Sequence, residues 1–389
     1  MIIKKLRPAL IVLACALLVL GSSTAAVIAQ KQSALARATA AAPKVSMVAS
    51  SPAQLTAVKN VDLHDGTVIK VGSTYYLYGT MYGCGFHWLA TNTPWCGFGV
   101  STATSLAGPW TTPTLLFSPN SVDPFTGTTW NAECGSTGRG CFNPRMIQRN
   151  WGPKDGTYIL WFNAPADYAR NGANAYYAMG CNGPLGQCGN GAGGNGTTRK
   201  PPMNICAGNG DFSIVPNGSS TPYMVCTNAD QTLSEEQLDY WGTSGTGVGS
   251  SHLAGLNNVE APGAYQDAAT GKWILTYSDV NCGYCGGDGT GYATASSIGG
   301  PWTAPANYGF SAPGTGRRDI SATSCGGQPR TIFTVDNQPY QLVDLWGQWN
   351  GDSTNQAGAG LAFITLSYAP QAAPNGGVLP PQFAQWPCM

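Results

Sequence analysis

DLHDGTVIKVGSTYYLYGT, residues Asp62 to Thr80, is the stretch on which the fold turns. Val68 to Val71 reads as a short strand, Gly72-Ser73 as a two-residue turn with glycine first, and Thr74 to Tyr78 as a β-branched, aromatic return strand. Asp65 stands at the mouth of this hairpin. The pattern recurs in blocks that open at Asn143 (NPRMIQRNWGPKDGTYILWFN), Asp211 (DFSIVPNGSSTPYMVCT), Glu260 (EAPGAYQDAATGKWILTYSD) and Gln328 (QPRTIFTVDNQPYQLVDLW). Every block leads with a polar or charged residue in the same register.

Short strands follow each hairpin. Two are near copies, Val100 to Thr111 and Tyr292 to Thr303, each ending Gly-Pro-Trp-Thr; Asn174 to Leu185 is a looser third copy, and Phe363 to Tyr368 reads as the closing strand. Repeats of roughly 50 to 80 residues, each with about four strands, indicate a β-propeller. The expected fold is therefore all-β, a five-bladed β-propeller occupying residues 52–389 as one domain. A β-sandwich also uses short strands and regular turns, but gives no reason for the recurrent leading residues. In a propeller the innermost strands start at one face of the central channel, so Asp65, Asn143, Asp211, Glu260 and Gln328 would converge on one polar pocket. The Gly-, Asn- and Cys-rich segments Asn182 to Asn209 and Val280 to Gly291 would be loops around it.

Composition agrees. With 52 Gly, 27 Pro and only 10% charged residues, the chain lacks the make-up of amphipathic helices. Its formal net charge of zero removes the electrostatic footprint of a nucleic-acid binder. Lys4, Lys5 and Arg7 precede the apolar run Pro8 to Leu20, then small residues to Ala29, the layout of a secretory signal peptide over 1–29. An uncleaved anchor is the rival; after cleavage no stable membrane association is expected. Residues 30–51 form an Ala/Ser-rich linker. Twelve cysteines follow the signal, an even number that fits disulfides in an exported chain. Short-range pairs are Cys84 with Cys96, Cys134 with Cys141, Cys181 with Cys188 and Cys206 with Cys226; Cys325 with Cys388 would be a longer one. Cys282-Gly-Tyr-Cys285 has redox or zinc half-site spacing, but with no second such pair and only three His it reads as a structural disulfide. Asn195-Gly-Thr and Asn217-Gly-Ser are glycosylation acceptors only in a eukaryotic secretory host.

Acidic residues are scarce, 19 in all, four of them Glu, yet three lead hairpin blocks. Each alone is readable as a turn or surface residue. Together they supply what glycosidic cleavage needs: a protonated carboxyl for the leaving oxygen, an ionised one to activate water or attack carbon, and a third to raise the acid's pKa. Trp88, Trp95, Trp130, Trp346 and Trp349 are candidate platforms for sugar rings, although most of the 12 Trp must serve packing.

Asp65-Gly-Thr-Val-Ile-Lys with Tyr75-Tyr-Leu-Tyr-Gly, Asp211-Phe-Ser-Ile-Val, Glu260-Ala-Pro with Trp273-Ile-Leu-Thr-Tyr-Ser, and the two Gly-Pro-Trp segments resemble glycoside hydrolase family 43. The resemblance covers Asp62 to Trp349. It implies a secreted, inverting glycosidase acting on arabinose-, galactose- or xylose-containing polysaccharide, with Asp65 as general base, Asp211 as the residue tuning the acid, and Glu260 as general acid. Inversion implies carboxyl groups of Asp65 and Glu260 roughly 6.5 to 9.5 Å apart. Asn143, Arg145, Gln328, Arg330 and Trp349 are the expected substrate-binding residues; Arg145 and Arg330, each following Pro, fit a sugar hydroxyl, a carboxylate of the site or, equally, a buried structural ion pair. The segment from Asn143 through Glu260 to Gln328 is similar to the exo-β-1,3-galactanase branch. Where that branch carries His-Gly-Gly, this chain has His64-Asp65-Gly66 and keeps the carboxylate of the wider family. No cofactor is required and no metal ligand set is assigned; some members of the family hold a structural cation near the propeller axis, for which His64 is the candidate neighbour. The expected partner is a polysaccharide or oligosaccharide bound by a monomer. The alternative is a carbohydrate-binding propeller without catalysis.

Overall fold

A computed structural model describes residues 52–388 apart from 89–92, 137–139, 165–174, 190–196, 209, 283–286, 306–308, 313, 348–355 and 373–377. The expected signal and linker (1–51), Asn195, Cys285 and Trp349 lie outside the described residues.

The opening hairpin forms as its sequence dictates: His64–Val71 pairs antiparallel with Thr74–Thr80, and Gly72 takes φ +59° in the turn. Phe98–Ala103 and Thr114–Leu115 complete this first sheet. The second sheet is built on Phe142–Gln148, Tyr158–Asn163 and Tyr176–Gly183 with Thr198–Arg199 outermost, and the third on Phe212–Asn217, Ser220–Thr227, Leu233–Leu238 and Gly245–Ser250. Val259–Gln266, Trp273–Asp279, Gly289–Ala295, Arg318–Ser321 and Phe310–Ser311 make the fourth. These sheets, with a fifth, are the blades of a five-bladed β-propeller.

The fifth blade corrects one expectation. Its order is Gln328–Val335, Gln338–Leu345, Gly360–Thr365 and then Leu55–Val58, so the chain is closed by an N-terminal strand on the last blade. The expected closing strand Phe363 to Tyr368 is split: its first part is the blade's third strand, and Tyr368 starts a separate hairpin with Val378–Phe383. Closure by the N-terminus covers an edge that would otherwise present unpaired backbone groups.

Both faces of each sheet are buried, which explains why the strands lack clean polar alternation. In Tyr158–Asn163, Ile159 and Trp161 face the third blade among Phe212 and Met224, while Leu160 and Phe162 face the first among Phe98 and Tyr78. A separate apolar cluster fills each of the five junctions between neighbouring blades.

Five disulfides join the expected cysteines: 84–96, 134–141, 181–188, 206–226 and 325–388. Cys282 is also disulfide-bonded. Among the described residues no helix is long and apolar enough to cross a membrane.

Candidate active site

The innermost strands do not run straight to the channel mouth. A β-bulge interrupts pairing between His64 and Thr67, Phe142 and Arg145, Glu260 and Gly263, and Pro329 and Ile332. Asp65 and Asn143 occupy the first bulged position with φ of 51° and 57°, and a bulge of this kind re-aims a side chain. Gly66 follows Asp65 because a Cβ there would lie 1.7 Å from the Tyr78 carbonyl oxygen.

These bulges revise the shared register expected for the leading residues. Glu260 is the last paired residue before its bulge, equivalent to His64 and Phe142, and Ala261 takes the bulged place at φ 53°. Gln328 lies one pair outside Pro329, while Arg330 falls where Asp65 and Asn143 fall. Arg145 and Arg330 are therefore not equivalent, despite the preceding prolines. Asp211 sits just ahead of its strand and accepts the Thr227 backbone N–H through its carbonyl.

Asp65, Asn143, Asp211, Arg145 and Arg330 nevertheless join in one hydrogen-bonded cluster, and Glu260 with Gln328 forms a second, coupled to it through the charges of Asp211 and Arg330. Asp65 Oδ1 accepts from the Thr80 hydroxyl at 2.8 Å and from the Asn143 backbone N–H at 3.2 Å. The Asn143 amide donates to Asp211 Oδ1 at 2.7 Å and accepts from Arg330 Nη2 at 3.0 Å and Arg145 Nη2 at 3.1 Å. Arg330 Nη1 lies 2.8 Å from Asp211 Oδ2. Arg145 Nε donates to the Phe212 carbonyl, and its Nη1 donates to the carbonyls of Asp65 and Gly66. Arg145, 3% exposed, is thus a buried clamp on three blades. Glu260 Oε1 accepts from Gln328 Nε2 at 2.7 Å and the Cys282 backbone N–H at 2.9 Å. Gln328 is fixed in turn by the Trp346 indole N–H at 2.8 Å.

Burial sets the protonation behaviour. Asp65, 1% exposed, is raised to about 7 mainly by loss of water, with Arg330 opposing the rise. Glu260 is also raised to about 7, first by burial and then by the charge of Asp211; Arg330, the Cys282 N–H and Gln328 oppose this. Asp211 keeps an 18% exposed side chain beside Arg330. Arg330 thus acts electrostatically on both Asp65 and Glu260.

Several participants were not singled out from sequence. Asp344, fully buried, accepts the Asp65 backbone N–H at 2.9 Å through Oδ2 and faces His64 Nδ1 at 3.4 Å through Oδ1. Its signal was a carboxylate inside the apolar strand QPYQLVDL, where only a paired or functional charge is tolerated. Asp288 is raised to about 8 by burial and then by Glu260; it accepts a hydrogen bond from Ser278, the cross-strand partner of Glu260. The aromatic expectations divide. Trp95 and Trp130 are core residues between the first two blades, and Trp346 is buried beneath the site with its ring 5.2 Å from His64. Tyr82 meets the His64 ring edge-on at 5.5 Å and also contacts the Trp346 ring. Among the described residues no group of three or more His, Cys, Asp or Glu is arranged to hold a metal ion. His64 faces Asp344 through Nδ1, and its buried Nε2 has no hydrogen-bond partner among the described residues.

No family model matches the chain, and no curated protein sequence matches it. Solved structures do. An exo-β-1,3-galactanase from Phanerochaete chrysosporium in complex with β-1,3-galactotriose superposes with TM-score 0.57 and 17% identity, covering 86% of this chain and 67% of that one. For an exo-β-1,3-galactanase from Clostridium thermocellum the values are 0.56 and 16%, covering 79% of this chain and 59% of that one. An exo-1,5-α-L-arabinanase from a bovine ruminal metagenomic library gives 0.51 and 15%, covering 85% and 98%. This chain therefore spans about two thirds or less of those two galactanase chains but nearly all of the arabinanase. At these identities the likeness establishes one thing, the shared five-bladed propeller fold.

Proposed function

We propose that this chain is a secreted inverting glycoside hydrolase of the family 43 type, acting on arabinose-, galactose- or xylose-containing polysaccharide. The observation that supports the reading is the hydrogen-bonded chain from Asp65 through Asn143 to Asp211 and Arg330, with Glu260 on the next blade within reach of the charges of Asp211 and Arg330 and raised to about 7 by burial and then by Asp211. Glu260 is the general acid: its proton passes to the glycosidic oxygen as the bond to the anomeric carbon breaks. Asp65 is the general base, taking a proton from the water that attacks the opposite face of that carbon. Asp211 favours the protonated acid by like-charge repulsion and is itself held by Arg330 and Asn143. Arg330, Asn143 and Gln328 border the reacting sugar while fixing the three carboxyls; Trp349 is proposed as a further sugar contact. The β-1,3-galactan cleaved by two of the structural neighbours and the arabinan cleaved by a third make these polymers the first substrates to try. The five disulfides support export to an oxidising compartment.

Product analysis on β-1,3-galactan, linear arabinan and xylan tests the reading, with Glu260→Gln as the blank. Release of mono- or oligosaccharide from at least one polymer by the wild type alone is expected. Binding without turnover would replace the hydrolase with a carbohydrate-binding propeller.

A further inference from the structure

A second recess lies away from the carboxylates. Asn143, at the channel mouth, and Arg149, just beyond the far end of the same strand, are separated by six residues of extended chain, about 20 Å at about 3.3 Å per residue. There the second blade and a loop of the third enclose about 350 Å³, lined by Arg149, Asp155, Thr157, Arg199, Trp241 and Thr243 among others. That volume falls within the range of small-ligand sites, about 300–1,000 Å³.

What distinguishes the recess is how firmly its aromatic residues are presented. Three successive carbonyls of the third-blade loop are each held by a side chain from the second blade. Trp151 Nε1 donates to Tyr240 O at 3.2 Å, Arg149 Nη1 to Trp241 O at 3.1 Å, and Trp161 Nε1 to Gly242 O at 3.0 Å. Gly242 permits the approach: φ is +69°, and a Cβ would lie 2.3 Å from the Trp151 ring. Arg149 also stands 5.3 Å from the centre of the Trp241 ring, and Tyr240 meets that ring edge-on at 5.1 Å. A bidentate pair with Asp155, at 2.9 and 2.5 Å, fixes the guanidinium. Yet Trp241 and Tyr240 each remain 52% exposed. Fixing the main chain under two half-exposed aromatic rings, with Arg149 over the Trp241 ring, lowers the ordering cost of binding a ligand there.

We propose that this recess is a second saccharide-binding site, in which a neutral sugar ring lies on Trp241. An aromatic face bordered by carboxylate, hydroxyl and guanidinium groups matches a ring with an apolar C–H face and a rim of hydroxyls. Asp155 neutralises Arg149 while Arg199 adds one positive charge to the lining, so the ring is recognised by its apolar face and its hydroxyls, and the polymers tried are neutral ones. The site would hold the polymer while a chain end occupies the carboxylate pocket, raising local substrate concentration without taking part in the chemistry. The choice of probe polymers and the kinetic arm of the test rest on the hydrolase reading; retention in the gel does not.

The test is affinity electrophoresis of the full chain carrying Glu260→Gln, through gels containing soluble β-1,3-galactan, arabinan or xylan. Adding Trp241→Ala should weaken retention on at least one polymer by about tenfold, as for loss of a central aromatic anchor, and Trp241→Phe should restore most of it. The alanine variant keeps the main-chain carbonyl that Arg149 holds. In the otherwise wild-type enzyme, Trp241→Ala should raise KM for the polymer and leave turnover of a small aryl glycoside unchanged. Equal retention with and without Trp241 on all three polymers would overturn the second site. Hydrolysis without Trp241-dependent retention leaves the catalytic reading standing alone; Trp241-dependent retention without hydrolysis by the wild type leaves the second site standing alone.

Discussion

In the proposed mechanism Asp65 and Glu260 do opposite things with carboxyls that titrate in the same range. Both are raised to about 7, so the productive state, Asp65 ionised and Glu260 protonated, is populated in a band around neutrality. A bell-shaped kcat/KM profile follows: activity falls below the band as Asp65 gains a proton and above it as Glu260 loses one. The two limbs are separable. Asp211 is the foremost charge raising Glu260, whereas the leading charges on Asp65 are Arg330, Asp344 and Arg145. In Asp211→Asn the alkaline limb should therefore move to lower pH by more than the acid limb does, read from pH–rate profiles; an unmoved alkaline limb contradicts the tuning role. The three carboxylates were legible because acids are rare in this chain and lead its repeats. Asp344 was not, because a single charge in an apolar strand reads first as an irregularity of packing. Its grip on the Asp65 backbone gives a further expectation: Asp344→Asn should lower kcat strongly while the protein stays folded, measured by steady-state kinetics beside circular dichroism.

Hairpins were readable from β-branched and aromatic residues around two-residue turns, and the Gly72-Ser73 turn formed as expected. The bulges were not. A bulge adds one residue to one strand, so lining up the leading residues by sequence placed Glu260 level with Asp65, one position away from where pairing puts it. Likewise the four-residue strand Leu55–Val58, without an aromatic residue, carries no local sign that it closes the last blade. Two measurements belong here. Gly66→Ala drives a methyl into the Tyr78 carbonyl and should destabilise the fold by at least the upper end of the usual overpacking cost, about 1–3 kcal/mol, in denaturant titration. Phe162→Ala empties a buried ring stacked on Tyr177 and should cost about 3–5 kcal/mol.

Across the whole molecule, burial of acids links stability to pH. Asp65, Glu235 and Glu260 are raised to about 7, and Asp288 and Asp319 to about 8, in each case chiefly by desolvation. Between about pH 4 and 8 the folded chain therefore binds more protons than the unfolded chain, and stability declines as pH rises through that window. Tm at pH 5.5 should exceed Tm at pH 8; the reverse order would mean that these carboxyls are ionised in the fold at lower pH. Five blades and their common mouth followed from the repeat alone, because each blade must bury both faces against its neighbours. Which Trp residues meet a sugar did not follow, since apolar character serves core and platform equally: Trp95 and Trp130 went to the core and Trp241 to the surface. The central claim is hydrolysis by an acid on one blade and a base on another. It is tested most directly by following polymer cleavage by proton NMR in wild type and Glu260→Gln. The expected result is a first-formed sugar of inverted anomeric configuration, and a rate in the variant lower by about 10²–10⁴-fold or more. A near-normal rate in Glu260→Gln, or a retained configuration, would contradict it.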